Sequence, residues 1–144
     1  MALTGCLTKT NVSETLVHDV GITLNVPNDY TFKKFLLCFY KKMGFLDESG
    51  DRNFDKIRGV LSDFEPEDVE VIVGACEHIS GENDIESVYL LTKCIFSNIR
   101  TIIKLFYKYF VVSLKLFHKM YIYVHNLVIK LYKSMVKFEK NFNK

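Results

Sequence analysis

Four cysteines (Cys6, Cys38, Cys76, Cys94) and four histidines (His18, His78, His118, His125) are the side chains best suited to covalent or metal chemistry in this 144-residue chain. Thiols that hold zinc or cycle their redox state usually come in close pairs such as C-x-x-C. None of these four lies within ten residues of another. An even number at wide spacing fits the disulfide framework of a secreted protein, and four cysteines allow three pairings. The residues alone leave a second reading open, four buried free thiols in a cytosolic helical protein. Cys76 and His78 offer two metal donors, and His118 and His125 offer two more beside lysines. Two donors make a weak site, so no metal is expected.

Asp47, Ser49 and Asp51 occupy positions 1, 3 and 5 of a calcium-loop pattern. The match then fails, because Arg52 stands where the loop needs glycine and Arg58 where it needs a bidentate glutamate. No Gly-rich phosphate loop, G-x-S-x-G or H-E-x-x-H occurs, so no catalytic residues and no cofactor are expected and the chain reads as a non-enzyme. Asn11-Val12-Ser13 is an N-glycosylation sequon.

The elements that must carry these residues read as helices. Ser13 suits the N-cap of a short helix with Leu16, Val17 and Val20 on one face, ended by Gly21. Pro27 and Asn28 form a turn, with Asn28 a candidate cap. The next helix runs from about Asp29 to Met43, where Phe32, Phe35, Phe39 and Met43 recur at three and four residues. Gly44 ends it. Ile57, Val60 and Leu61 mark another short helix. Pro66 opens the following one, and Glu67, Asp68 and Glu70 suit the positive end of its dipole. Its apolar face is Val69, Ile72, Val73, Cys76 and Ile79, closed by Gly81. A last helix starts near Asn83 or Asp84 and places Ser87, Leu90, Leu91 and Cys94 together. Alternating, strand-like segments of useful length are absent. The expected class is all-α, with about five short helices.

Three stretches narrow this further: Phe35 to Gly50 around Cys38, Glu70 to Cys76, and Asn83 to Cys94. Together they resemble the insect odorant-binding proteins, secreted helical carriers of small apolar ligands. That family usually has six cysteines, the second and third four apart on one helix and the fifth and sixth nine apart on another. Counting back from Cys38 and Cys94 gives Lys34 and Ile85. These are the two positions whose cysteines bond to each other in the family, and both are absent here, as in its minus-cysteine branch. The resemblance covers residues 6 to about 98 and implies the disulfides Cys6–Cys38 and Cys76–Cys94. It also implies a helix before the first cysteine, of which almost all is missing here, and a removed signal segment that is not visible as written.

Charge divides the chain. Residues 1–99 hold 9 basic and 16 acidic side chains, a net of −7, whereas residues 100–144 hold 10 basic and one acidic, a net of +9. The expected domains are therefore 1–98, odorant-binding-like, and 99–144, a basic apolar tail. In the tail Lys104, Lys108, Lys115, Lys119, Asn126, Lys130 and Lys137 follow an eleven-residue repeat, which keeps them on one stripe of a long amphipathic helix. Lys133 and Lys140 join that stripe. The rest is largely aliphatic and aromatic. Lysines interrupt every stretch long enough to span a bilayer. A membrane-surface helix, a self-associating helix and a segment of no selected role all fit the pattern. Its apolar breadth argues against nucleic acid as a partner.

The resemblance implies binding and transport of small hydrophobic molecules such as odorants or pheromones in extracellular fluid. Candidate residues lining an apolar cavity are Phe35, Phe39, Met43, Ile57, Leu61, Ile72, Val73, Val88 and Leu91. A membrane-surface-binding or self-associating protein acting through the tail is the competing reading.

Overall fold

The computed structural model describes residues 2–110 and 124–126. Six α-helices appear in the first segment: α1 (Ala2–Thr10), α2 (Glu14–Thr23), α3 (Tyr30–Met43), α4 (Phe54–Val60), α5 (Pro66–Val73) and α6 (Asp84–Phe110). A single 3-10 turn, Gly74–Cys76, follows α5. The only pairing of extended backbone among the described residues is an isolated antiparallel bridge between Leu46 and Arg52.

The helix starts follow from side chains that satisfy the first free N–H groups. Ser13 accepts from the Leu16 N–H at 3.4 Å. Asp29, rather than Asn28, caps α3 and accepts from the Phe32 N–H at 2.7 Å. Asn53 caps α4 through the Lys56 N–H, and Asn83 accepts from the Glu86 N–H at 3.0 Å to open α6. Gly44 ends α3 in the left-handed region at φ 69°, where a side chain is disfavoured.

Two expected terminators act otherwise. Gly21 lies inside α2, which continues to Thr23 and ends on Leu24 at φ 55°. An exposed glycine only weakens a helix, and the local turn after Thr23 is what stops it. Likewise α5 does not run to Gly81. It changes to the 3-10 turn at Gly74, so Cys76 is reached by a tighter path and Ile79 lies beyond the helix. Gly81 has a different task, since a Cβ there would come within 2.6 Å of the Glu86 Cβ and 2.7 Å of the Ser87 nitrogen. Its N–H donates to Ser87 Oγ at 2.9 Å, which folds the loop onto the start of α6.

Helix α6 is the spine. Both α3 and α5 pack on it, while α1 packs on α3 and α4 on α5. It has 27 residues and is therefore about 40 Å long. The helix does not break at the charge boundary near Asn98. Ile99 and Ile102 are buried in the same core as residues of α3 and α5. Cys6 lies within the nine-residue α1. Most of the lysine repeat lies outside the described residues, although 124–126 are helical. Among the described residues no helix is long and apolar enough to cross a membrane.

Candidate functional site

The four cysteines pair as Cys6–Cys38 and Cys76–Cys94, with Cα separations of 5.7 and 6.0 Å. The first ties α1 to α3. The second ties the 3-10 turn to α6. Asn98, one turn beyond Cys94, reinforces this second joint. Its amide donates to the carbonyls of Val71 and Ile72 at 3.3 and 3.2 Å, at the end of α5 where carbonyls lack helical partners.

Eight of the nine candidate lining residues are buried: Phe35, Met43, Ile57, Leu61, Ile72, Val73, Val88 and Leu91. Phe39 is partly buried and packs against the same core. Four elements contribute: Phe35, Phe39 and Met43 from α3, Ile57 from α4, Ile72 and Val73 from α5, and Val88 and Leu91 from α6. Leu61 caps the C-terminus of α4. The aromatic rings form a chain in which Phe32 to Phe35 centroids are 5.8 Å apart, Phe35 to Phe39 6.1 Å, and Phe39 to Phe45 6.4 Å. Offset and edge contacts at these distances add to simple area burial.

Ile72, Val73, Val88 and Leu91 each have 0% exposure. A side chain without accessible surface touches no space that admits a water-sized probe. These four are therefore packed against neighbours, and a ligand reaches them only by displacing side chains. Apolar residues at the edge of the core, such as Leu7, Val17, Phe54 and Phe96, are partly buried and pack against it. An open groove of about 670 Å3 lies elsewhere, lined by Ser80, Gly81, Glu82, Asn83, Glu86 and Leu90. It is mostly polar and contains none of the nine residues.

A polar seam on the α3–α6 interface escapes sequence reasoning. Lys33 is only 11% exposed, and its Nζ lies 2.7 Å from Glu86 Oε1, with that side chain 35% exposed. The same ammonium sits 4.2 Å from the centre of the Tyr89 ring, a cation–π contact. Two turns further on, the hydroxyls of Tyr40 and Thr92 are 2.9 Å apart in the buried interior. Thr92 also donates to the Val88 carbonyl at 2.8 Å. Burial pushes the Tyr40 hydroxyl up to about 12. Nothing in periodicity marks a lysine or threonine as interior; only the opposing helix does.

The acidic turn of the calcium-like pattern is closed on itself. Ser49 Oγ donates to Asp47 at 2.7 Å and contacts Asp51 Oδ2 at 3.2 Å. The Ser49 hydroxyl first, and then the Asp51 N–H, hold the Asp47 carboxyl below its ordinary range. Arg52, at the position where calcium loops need glycine, donates to the carbonyls of Ile79 and Glu77. That contact pins the turn to the segment leading into α6. Arg58 on α4 bridges Glu70 on α5, at 2.8 Å, and Glu77.

This frame of short helices around a long one, cross-linked by two disulfides, has relatives. The PBP/GOBP family model matches residues 1–98, more than half of the chain, and the chain belongs to that family. Solved structures are similar to it, among them the following two. The crystal structure of a medfly odorant-binding protein aligns with a TM-score of 0.53 at 27% identity, covering 74% of this chain and 92% of the other. Odorant-binding protein 5 of Apis mellifera aligns with a TM-score of 0.55 at 24% identity, covering 67% and 81%. At that lower identity the likeness speaks for the fold. No curated protein sequence matches the chain.

Proposed function

We propose that this protein binds small hydrophobic, odorant-like molecules without chemical conversion and carries them in extracellular fluid. The observation that supports this most is the gathering of aliphatic and aromatic side chains from four helices into one core, inside the frame of an odorant-binding family. The driving force is burial. A ligand hiding ~200 Å2 of apolar surface gains roughly 5 kcal/mol at 25 cal/mol per Å2. Because the innermost residues are tightly packed, entry is coupled to rearrangement of the core. Phe39, at the half-buried edge, is the candidate first contact. Persistent disulfides suit an oxidising, extracellular setting.

Displacement of an apolar fluorescent probe from the oxidised full-length chain tests the reading. Probe uptake reversed by small odorants is expected. Absence of probe binding by a chain that retains its helical circular dichroism would sink it. A Phe39→Ala variant should weaken uptake while leaving the fold intact.

A further inference from the structure

We propose that the C-terminal end of α6 docks on an anionic lipid surface. The core-facing stripe of α6 comprises Val88, Leu91, Ile95, Ile99 and Ile102, all buried. The spacing of three and four residues continues directly to Phe106. Yet Phe106 is 51% exposed and its neighbour Leu105 49%. The apolar face thus runs past the end of the body in one unbroken helix. On the other side of the same helix Arg100, Lys104 and Lys108 recur every four residues, and Lys104 is exposed.

The sequence beyond Phe110 keeps the same residue types. Lys115, Lys119, Lys130 and Lys137 keep the eleven-residue repeat, and Asn126, the uncharged member of the stripe, is exposed in the described helical segment 124–126. Between them stand Leu, Ile, Val, Phe and Tyr residues. A cationic stripe of one sign opposite a broad apolar face matches the boundary between anionic headgroups and acyl chains. A soluble protein partner usually meets charges of both signs, whereas residues 100–144 carry 10 basic side chains and one acidic. The net charge of −7 on residues 1–99 orients the molecule, because an anionic surface attracts the tail and repels the body. This surface stands apart from the ligand-binding core and does not depend on what that core binds.

The test uses the full-length oxidised chain and co-sedimentation with vesicles. Binding to phosphatidylserine/phosphatidylcholine vesicles is expected at low salt, with little binding to phosphatidylcholine alone. At 1 M salt, where the screening length falls to about 3 Å, binding should be lost. Lys104→Glu with Lys108→Glu should weaken it by at least about thirtyfold, given the worth of each lysine near such a surface. Phe106→Ser should weaken it without changing the salt dependence. Equal binding to neutral vesicles, or no binding to anionic vesicles at low salt, overturns the proposal. Sedimentation velocity adds the competing outcome. Concentration-dependent self-association that Phe106→Ser abolishes, with vesicles left unbound, would make the stripe a contact between copies of the chain and overturn lipid docking.

Discussion

Two joints of this molecule are covalent and a third is not. Cys6–Cys38 fastens α1 to α3, and Cys76–Cys94 fastens the turn after α5 to α6. The joint between α3 and α6 depends instead on the Lys33–Glu86 pair, the Tyr89 ring beneath it, and the Tyr40–Thr92 hydroxyls. Lys33 and Glu86 stand beside Lys34 and Ile85, the positions of a third disulfide in the six-cysteine pattern that the sequence resembles. A disulfide acts largely by restricting the unfolded chain and holds its ends whatever the solvent. A polar seam must be remade each time the helices meet, and its strength depends on salt and burial. The comparison teaches where the core can open. Val88 and Leu91 lie on α6 and Phe35 on α3, so this non-covalent joint borders the proposed ligand core.

Breaking a covalent joint should have the largest effect. Replacing Cys6 and Cys38 together by Ala frees a span of 32 residues and should cost roughly 3–4 kcal/mol in urea unfolding. The same change at Cys76 and Cys94, which span 18 residues, should cost slightly less, about 3 kcal/mol. If either loss is under a few tenths of a kcal/mol, the frame does not rest on its cross-links.

Making the third joint covalent sharpens the contrast from the other side. Lys34→Cys with Ile85→Cys, oxidised, should raise stability by roughly 2–4 kcal/mol. It should also narrow the range of ligands that displace a fluorescent probe. Unchanged selectivity together with unchanged unfolding would show that the α3–α6 joint does not control opening.

Within the seam the buried hydroxyls should matter more than the charges. Thr92→Val leaves the Tyr40 hydroxyl in the interior without that partner and should cost about 1–3 kcal/mol. Tyr40→Phe leaves Thr92 bonded to the Val88 carbonyl and should cost about 1 kcal/mol. The Tyr40 pKa is raised above that of an unfolded tyrosine. Its contribution is therefore complete below the unfolded pKa near 10 and lost as pH rises toward about 12. Tyr40→Phe should flatten that alkaline decline in an unfolding series.

Glu86→Gln should have the smallest effect, about 0.5 kcal/mol, because the pair is only partly buried and Lys33 keeps its ring contact. The wild-type advantage over this variant should shrink as salt increases. An advantage insensitive to salt would assign the stability to packing of the Lys33 stem.

The sequence by itself determined the helical class, most helix starts, the family and the apolar residues of the core. These are local or periodic properties. A capping side chain, a proline at a helix start or a phenylalanine every three or four residues acts within a turn or two of itself. The disulfide pairing was legible only through the resemblance, since spacing alone left three options. Tertiary structure decided the rest. It buried Lys33 and Thr92, turned Arg52 toward the carbonyls of Glu77 and Ile79, and made Gly81 necessary through a close approach to Glu86. It also carried α6 through the charge boundary, placing Ile99 and Ile102 in the core and leaving Phe106 outside it. The physical reason is the same in each case. Periodicity tells which face of a helix is apolar, but the length of that face which finds cover depends on neighbouring helices distant in the chain.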